Sequence, residues 1–295
     1  MKQAMIIMNP SSGKAEAREY IQAAEEVLQV AGYQVTVNET AGEGDATAFC
    51  VQACSEGCDL VVAIGGDGTL HETMNGLADQ QHRPVLGIVP MGTVNDFARA
   101  LQIPLNPEQA IRNLASSRTR RVDMGRLNER LFVNVVAAGS LAGSLSSVSS
   151  DDKNRLGFLA YLREGIKELT SSKTHPLTII HDGEVWEGSS PLFIAALTNS
   201  VGGFEKLAPG AAVDDGLLHC FIVKDLHLLN SVTVSISLLL GNLRSHKDVI
   251  YFTAREVTLR SSEPVRTNVD GEAGPPLPLT LSTIPRHLQV VVPEE

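Results

Sequence analysis

Positive charge is in short supply: 24 Lys and Arg stand against 34 Asp and Glu, a formal net charge of −10. A nucleic-acid binder normally carries a basic face, so that class of partner is set aside. Long hydrophobic runs are missing too. The most apolar stretch, LHLLNSVTVSISLLLGNL, is interrupted by His227, Asn230 and several serines, whereas a spanning helix needs ~20 predominantly apolar residues. The opening MKQAMIIMNP breaks its short apolar run at Asn9-Pro10, unlike a secretory signal. Membrane contact is therefore expected to be peripheral. Cysteines number only four. Cys50, Cys54 and Cys58 share one helix face but lack CxxC spacing and a nearby fourth ligand, so they read as small buried side chains rather than a metal site. Without an export signal, reduced thiols in the cytoplasm are the expected state. Two nucleotide signatures are also absent, G-x-x-x-x-G-K-S/T and G-x-G-x-x-G. That removes the standard P-loop and the standard dinucleotide Rossmann domain.

What is present alternates strand and helix signals over the first ~120 residues, the pattern of a doubly wound, mostly parallel α/β domain. Strands are expected at 4–8, 34–38, 60–64 and 85–89, and helices at 16–31, at 70–78, at 95–101 and beyond Asp45, taken as a cap. Asn106-Pro107 starts a further helix, with Asn at N-cap and Pro at N1. Past Arg121 the texture changes to short β runs, among them LFVNVVAAG, LLHCFIV and VIYFTA, several separated by Asp-Gly turns. This predicts a β-rich, antiparallel, sandwich-like second domain. The boundaries fall at 1–122 and 123–285, and the closing segment 286–295, after a proline, can return to the first domain.

Three βα junctions of the first domain share one edge, because parallel strands put their C-terminal ends on the same side. They read NPSSGK (from Asn9), GGDGTLHE (from Gly65) and PMGTVNDFAR (from Pro90). Each alone is turn chemistry. Together they line a crevice with N–H groups, hydroxyls and helix N-termini, which suits a phosphate-rich ligand. Asp67 sits within the glycine turn, where a bare phosphate would be repelled. Three roles stay open for it: a neighbour of a Mg2+-bound nucleotide triphosphate, an acceptor for ribose hydroxyls, or a brace for loop N–H groups. Glu72 and Asp96 are further acids at that edge.

With these motifs in order, the sequence resembles the diacylglycerol kinase catalytic family, especially its bacterial branch, and is similar more distantly to NAD kinases. KNRLGFLAYL (153–162), GGFEKLAPGAAVDDGLL (202–218) and NVDGEAG (268–274) extend the likeness over essentially the whole chain. The resemblance implies an NAD-kinase-like α/β domain and an ATP-dependent lipid kinase, transferring the γ-phosphoryl group to diacylglycerol to give phosphatidic acid. The competing readings are an NAD kinase-like enzyme with a soluble acceptor and a nucleotide-binding regulatory module without catalysis. By resemblance, ATP lies against Asn9, Pro10, Ser11, Ser12 and Gly13, against Thr40, and against Thr93. The glycine loop adds Gly66, Asp67, Gly68, Thr69, Leu70, His71 and Glu72. Glu272 is implied as the catalytic base, with Asp67 positioning the Mg2+-bound nucleotide. A further Mg2+ is implied at Asp215, with backbone oxygens of Ala212 and Leu217. The setting implied is cytoplasmic and peripheral at the inner leaflet, on a membrane lipid, with a homodimer admitted as the assembly.

On its residues alone, VDGEAG is a hairpin turn, and HDGEVW repeats Asp-Gly-Glu at Glu184. Only the order of landmarks selects Glu272 over Glu184. A carboxylate suits the task, because phosphoryl transfer to an alcohol needs a group that orients and deprotonates the hydroxyl. Lys153, Arg155, Arg163 and Lys167 accompany Leu156, Phe158, Leu159 and Tyr161 in a helix-like segment. It either docks on an anionic leaflet or packs its apolar face internally. Arg118, Arg120 and Arg121 read as a solvated face. The serine-rich segment 140–150 reads as a surface loop bordering the acceptor pocket, and it lacks the aromatic expected after Gly-Ser. With aromatics at 4%, rings offer little with which to hold acyl chains.

Overall fold

In a computed structural model that describes residues 1–12, 17–139, 173–200, 208, 210–224 and 242–294, the apolar runs of the first third become a parallel sheet. The chain forms two units, Met1–Asp123 with Pro285–Glu295, and Met124–Ile284. In the first, β1 (Lys2–Met8), α1 (Ala17–Val30), β2 (Tyr33–Glu39), α2 (Asp45–Ser55), β3 (Leu60–Gly65), α3 (Asp67–Ala78) and β4 (Val85–Pro90) alternate along the chain. Two short helices follow, α4 (Asp96–Ala100) and α5 (Pro107–Asn113). The strand order is β2-β1-β3-β4, all parallel. Every residue of β3 is buried, as a strand covered on both faces requires. Helix α1 packs with α5, and α2 with α3. The order reverses between β1 and β3, which opens a crevice at the carboxyl ends of the strands.

The cysteines on α2 are buried and free, and burial pushes the Cys50 thiol far above its ordinary pKa. They are core side chains. Two helix starts differ in detail from expectation. Helix α3 begins at Asp67 rather than near residue 70, so the acid stands in a first turn, where the helix dipole favours negative charge. Asp45 is not a cap: Gly44 holds that position, and the Asp45 carboxylate instead accepts the N–H groups of Ala41 and Gly42 at 2.7 and 2.9 Å. Asn106 does cap α5, through a bond from the Gln109 N–H at 3.0 Å.

The second unit is antiparallel. Strand β5 (Thr119–Leu127) enters it and pairs with β6 (Arg130–Phe132). Then come β7 (Val135–Gly139), β8 (His175–His181), β9 (Glu184–Ser190), β10 (Leu192–Ala196), β11 (Leu218–Val223), β12 (Val249–Ala254) and β13 (Glu256–Arg260). The last are β14 (Thr267–Val269), β15 (Glu272–Ala273) and β16 (Leu279–Val291). One sheet runs β12-β11-β10-β7-β14-β15, and β16-β13-β8-β9 forms the other layer. Phe132, Val136, Ile179, Phe193, Ile222, Val257 and Leu281 fill a shared core. The run LFVNVVAAG, expected as one strand, is split at Val133 and Asn134. Conversely, β16 continues through Pro285, where a break was expected. The disturbance there is local: Arg286 turns to φ 51°, and its N–H is taken by the Asp123 carboxylate at 2.7 Å. Residues 286–291 then rejoin the first unit, Val290 pairing in parallel with Leu86 of β4.

Arg118, Arg120 and Arg121 are exposed, as expected of a solvated face. The serine-rich segment and the basic segment 153–167 lie outside the described residues. Gly76 marks where α3 meets α2: a Cβ there would lie 2.6 Å from both Cys50 Cβ and the Thr47 carbonyl oxygen. Helix propensity alone favours Ala over Gly by about 1 kcal/mol, but overpacking against an immovable backbone costs about 1–3 kcal/mol. Gly76→Ala should therefore lower the urea midpoint of unfolding, with a net loss of up to about 2 kcal/mol.

Candidate active site

The junction after β1 is shaped by one asparagine. The Asn9 N–H bonds the Ile64 carbonyl at 3.1 Å, while Oδ1 accepts the N–H and hydroxyl of Ser11 at 3.0 and 2.6 Å. Its Nδ2 donates to the Thr69 hydroxyl in α3 at 3.2 Å. Pro10 supplies no N–H, so the turn is closed by Ser12 N–H to the Asn9 carbonyl at 3.0 Å. These bonds hold the first junction against the second. Beyond them opens a cleft of about 450 Å3, within the range of small-molecule sites. Asn9, Pro10 and Ser11 form one wall, Thr40, Ala41, Gly42, Glu43 and Ala46 another, and Gly68, Thr69 and Glu72 the third. Gly68 and Thr69 lie in the first turn of α3, whose N–H groups have no acceptor within the helix. Glu72 is held from across the cleft: Oε2 accepts the Ala46 N–H at 3.2 Å, and its carbonyl accepts the Thr47 hydroxyl at 3.0 Å.

The remaining expected residues divide. Leu70 is buried in the core and presents no side chain to the cleft. His71 is half-buried along α3, and its carbonyl accepts Asn75 Nδ2 at 2.8 Å. Thr93 is exposed on the loop after β4. Gly13 lies outside the described residues. Asp67 takes the brace role among the three left open. Its Oδ2 accepts the Asn95 N–H at 2.8 Å and its Oδ1 the Asp96 N–H at 3.0 Å. Asn95 sits at φ 52°, and its side chain closes the same loop through Gly92 N–H and carbonyl at 3.0 and 2.8 Å. The two glycine loops touch: a Cβ on Gly92 would stand 2.8 Å from Gly66 Cα. The carboxylate thus joins the second and third junctions into one rim. From sequence Asn95 reads as a polar residue of the third junction at the start of a helix, and nothing in TVND marks it as a loop lock.

In the second unit, the two Asp-Gly-Glu triplets adopt the same turn. Asp182 and Gly183 have φ 46° and 84°, Asp270 and Gly271 have φ 50° and 96°, both central residues positive as in a type I′ hairpin. What differs is the aspartate. Asp182 is exposed at the tip between β8 and β9. Asp270 instead accepts three main-chain N–H groups, from Val133 at 2.7 Å, Asn134 at 2.9 Å and Val135 at 2.8 Å. Its own N–H returns to the Val135 carbonyl at 2.9 Å, and Asn268 Oδ1 accepts the Gly271 N–H at 2.9 Å. This is why β6 and β7 are separate: Val133 and Asn134 give their N–H groups to a carboxylate rather than to a strand. Glu272, the next residue on β15, is exposed on a hairpin whose base is locked.

Asp215 lies in the loop before β11. Its Oδ2 accepts the Ala212 N–H at 3.0 Å and approaches His219 Nε2 at 3.0 Å, while Oδ1 accepts the Leu217 N–H at 2.9 Å. Burial, the largest influence, pushes its carboxyl up, but the bonds from His219, Ala212 and Leu217 together carry it below its ordinary value. Ala212 and Leu217 thus meet Asp215 through their N–H groups. A charged carboxylate with a lone pair to spare is a hard oxygen donor of the kind Mg2+ takes, so Asp215 is compatible with that ion. Among the described residues no three His, Cys, Asp or Glu side chains cluster as a metal site. His219 was missed, since a histidine inside LLHCFIV looks like a core position.

A parallel α/β unit with an N–H-lined cleft at its switch point is the mark of a nucleotide-binding protein, here joined to an antiparallel β unit. Known proteins narrow this class. The family described as the diacylglycerol kinase catalytic domain matches residues 3–127, and that described as the YegS C-terminal NAD kinase beta sandwich-like domain matches residues 134–292. A diacylglycerol kinase of Bacillus subtilis (strain 168) is 38% identical over 296 residues, covering 100% of this chain and 98% of the relative. One from Staphylococcus aureus (strain bovine RF122 / ET3-1) is 38% identical over 294 residues, covering 100% and 93%. The crystal structure of a candidate diacylglycerol kinase from Bacillus anthracis str. Sterne is similar with a TM-score of 0.87 at 26% identity, covering 99% of this chain and 97% of that one. The chain belongs to the diacylglycerol kinase family, kinases whose acceptor is an alcohol.

The contrast between the two triplets can be measured. Asn tolerates positive φ as Asp does, so Asp→Asn isolates the carboxylate. Asp270→Asn should destabilise the protein by about 2–3 kcal/mol, because bonds to a charged acceptor are lost and an NH2 group faces N–H donors. Asp182→Asn should stay within about 0.5 kcal/mol of the parent in the same denaturant titration.

Proposed function

We propose that this chain is an ATP-dependent lipid kinase whose acceptor is the free hydroxyl of diacylglycerol, giving phosphatidic acid. ATP occupies the cleft of the first unit. Its phosphates run toward the first-turn N–H groups at Gly68 and Thr69, and Asn9, Ser11 and Thr40 provide polar contacts along the wall. Ser12 and, by its place in the sequence motif alone, Gly13 are taken as further contacts, Gly66 and Asp67 hold the rim, and Thr93 contributes from the third junction. Asp67 acts as a positioning residue, since its oxygens already serve loop N–H groups.

Glu272 serves as the base. The acceptor oxygen bonds to the γ-phosphorus as the bond to the β–γ bridging oxygen breaks, ADP leaves, and Glu272 takes the hydroxyl proton. The observation that carries this choice is the Asp270 lock. A base must be held within hydrogen-bond reach of its proton, and the hairpin bearing Glu272 is tied down by three N–H bonds that its twin at Glu184 lacks. When bound, Mg2+ would neutralise charge developing on phosphoryl oxygens, and Asp215, with main-chain oxygens of Ala212 and Leu217, would hold a further such ion in the second unit.

The name carried by the Bacillus subtilis and Staphylococcus aureus relatives supports diacylglycerol as acceptor. No helix among the described residues is long and apolar enough to cross a membrane, which agrees with an enzyme working peripherally at the cytoplasmic leaflet. Incubation with ATP, Mg2+ and mixed vesicles containing diacylglycerol should yield phosphatidic acid by mass analysis, and soluble nicotinamide dinucleotides should go unphosphorylated. Glu272→Gln should lower lipid phosphorylation by at least about 100-fold while leaving ATP affinity within a few-fold. Glu184→Gln should turn over normally. Near-normal turnover in Glu272→Gln would remove that residue from the mechanism.

A further inference from the structure

Asp215 is backed by a chain of side chains that the proposed reaction does not use. His219, on β11, is 5% exposed. Its Nε2 meets Asp215 Oδ2 at 3.0 Å, and its Nδ1 lies 2.7 Å from the Tyr251 hydroxyl on the neighbouring strand β12. The Tyr251 ring is held in turn, 5.1 Å from the Phe221 ring at a 52° tilt, with the Arg244 guanidinium 4.6 Å from its centroid on β12's approach. Burial raises the phenol's pKa, so it stays protonated and able to donate. A hydroxyl that donates to Nδ1 selects the neutral imidazole whose Nε2–H points at the carboxylate.

The consequence falls on Asp215. Ala212 and His219 both bond Oδ2, whereas Oδ1 receives only Leu217 among the described residues. One lone pair on Oδ1 is therefore left open in a fixed direction. A buried histidine on an apolar strand has a cost that a valine or leucine would avoid. Fixing the direction of a charged oxygen is what it can do in return. We propose that His219 and Tyr251 are positioning residues that present Asp215 Oδ1 to Mg2+. This rests on the reading of Asp215 as a Mg2+ ligand. Outer partners of this kind typically change metal affinity by about 10–100-fold.

The test uses the full chain, stripped of metal and titrated with Mg2+ alone, by calorimetry and by the rise in melting temperature over an EDTA control. Asp215→Asn should lose the Mg2+ response. His219→Ala should weaken Mg2+ binding by about 10–100-fold, with recovery in His219→Gln, whose amide can still donate near the Nε2 position. Tyr251→Phe, which removes one oxygen and leaves the packing of the ring, should weaken it several-fold and covers the case in which His219→Ala fails to fold. A purely structural role would lower the melting temperature in EDTA without moving Mg2+ affinity, and that result would overturn the proposal. Unchanged Mg2+ binding in both His219→Ala and Tyr251→Phe, with loss in Asp215→Asn, would discard the relay and keep the metal ligand. Parent-like binding in Asp215→Asn would discard the metal reading itself.

Discussion

Carboxylates that accept main-chain N–H groups hold the loops of both units. A strand that ends leaves the following residues without ladder partners, and their N–H groups take acceptors elsewhere. Here aspartates answer that need repeatedly: Asp45 for Ala41 and Gly42, Asp59 for Gln3, Asp67 for Asn95 and Asp96, Asp123 for Arg286, Asp215 for Ala212 and Leu217, and Asp270 for Val133 to Val135. Charged acceptors make such bonds roughly twice as strong as neutral ones. They also set direction, since each carboxylate oxygen can serve two separate donors. Rigid loops at the carboxyl edge of a parallel sheet are what a phosphate cradle requires, because its binding groups are themselves backbone N–H groups.

The same habit resolves the paradox of an acid inside a glycine turn. Asp67 does not confront the ligand with its full charge, since two N–H groups and the N-terminal end of α3 share it. The glycines beside it serve close approach: Gly66 and Gly92 touch backbone to backbone, and any side chain would push the two junctions apart. Acid and glycines together make one rim from two loops. Electrostatics and sterics act toward the same end, a fixed wall beside a cleft of mixed polar and apolar lining.

Much of the first unit was legible because its signals are local. Continuous apolar runs such as LVVAIG mark strands covered on both faces, and Asn-Pro or Gly punctuates the helices between them. The start of α3 was placed three residues late because Gly66, Asp67 and Gly68 have low helix propensity; tertiary bonds to Asn95 and Asp96 hold that turn nevertheless. Pro285 misled for a similar reason. A proline lacks one donor, and when a distant carboxylate takes the next N–H the strand resumes. Leu70 was grouped with its loop neighbours by motif, but at helical spacing its side chain falls on the buried side of α3.

What the amino-acid order determined alone was the alternation of strands and helices, the change to antiparallel β texture, the three junctions on one edge and the Asp-Gly turns themselves. Each follows from side-chain period or from residues suited to positive φ, properties that extend over a few neighbours. Tertiary structure alone decided what each acid does. Asp182 and Asp270 share the same turn and the same following residues, and only the approach of Val133, Asn134 and Val135 makes one of them an anchor. Likewise His219 gained its partner from β12, more than thirty positions away by strand pairing rather than by spacing. A hydrogen bond is decided by where donors lie in space, and separations in the chain do not encode that distance.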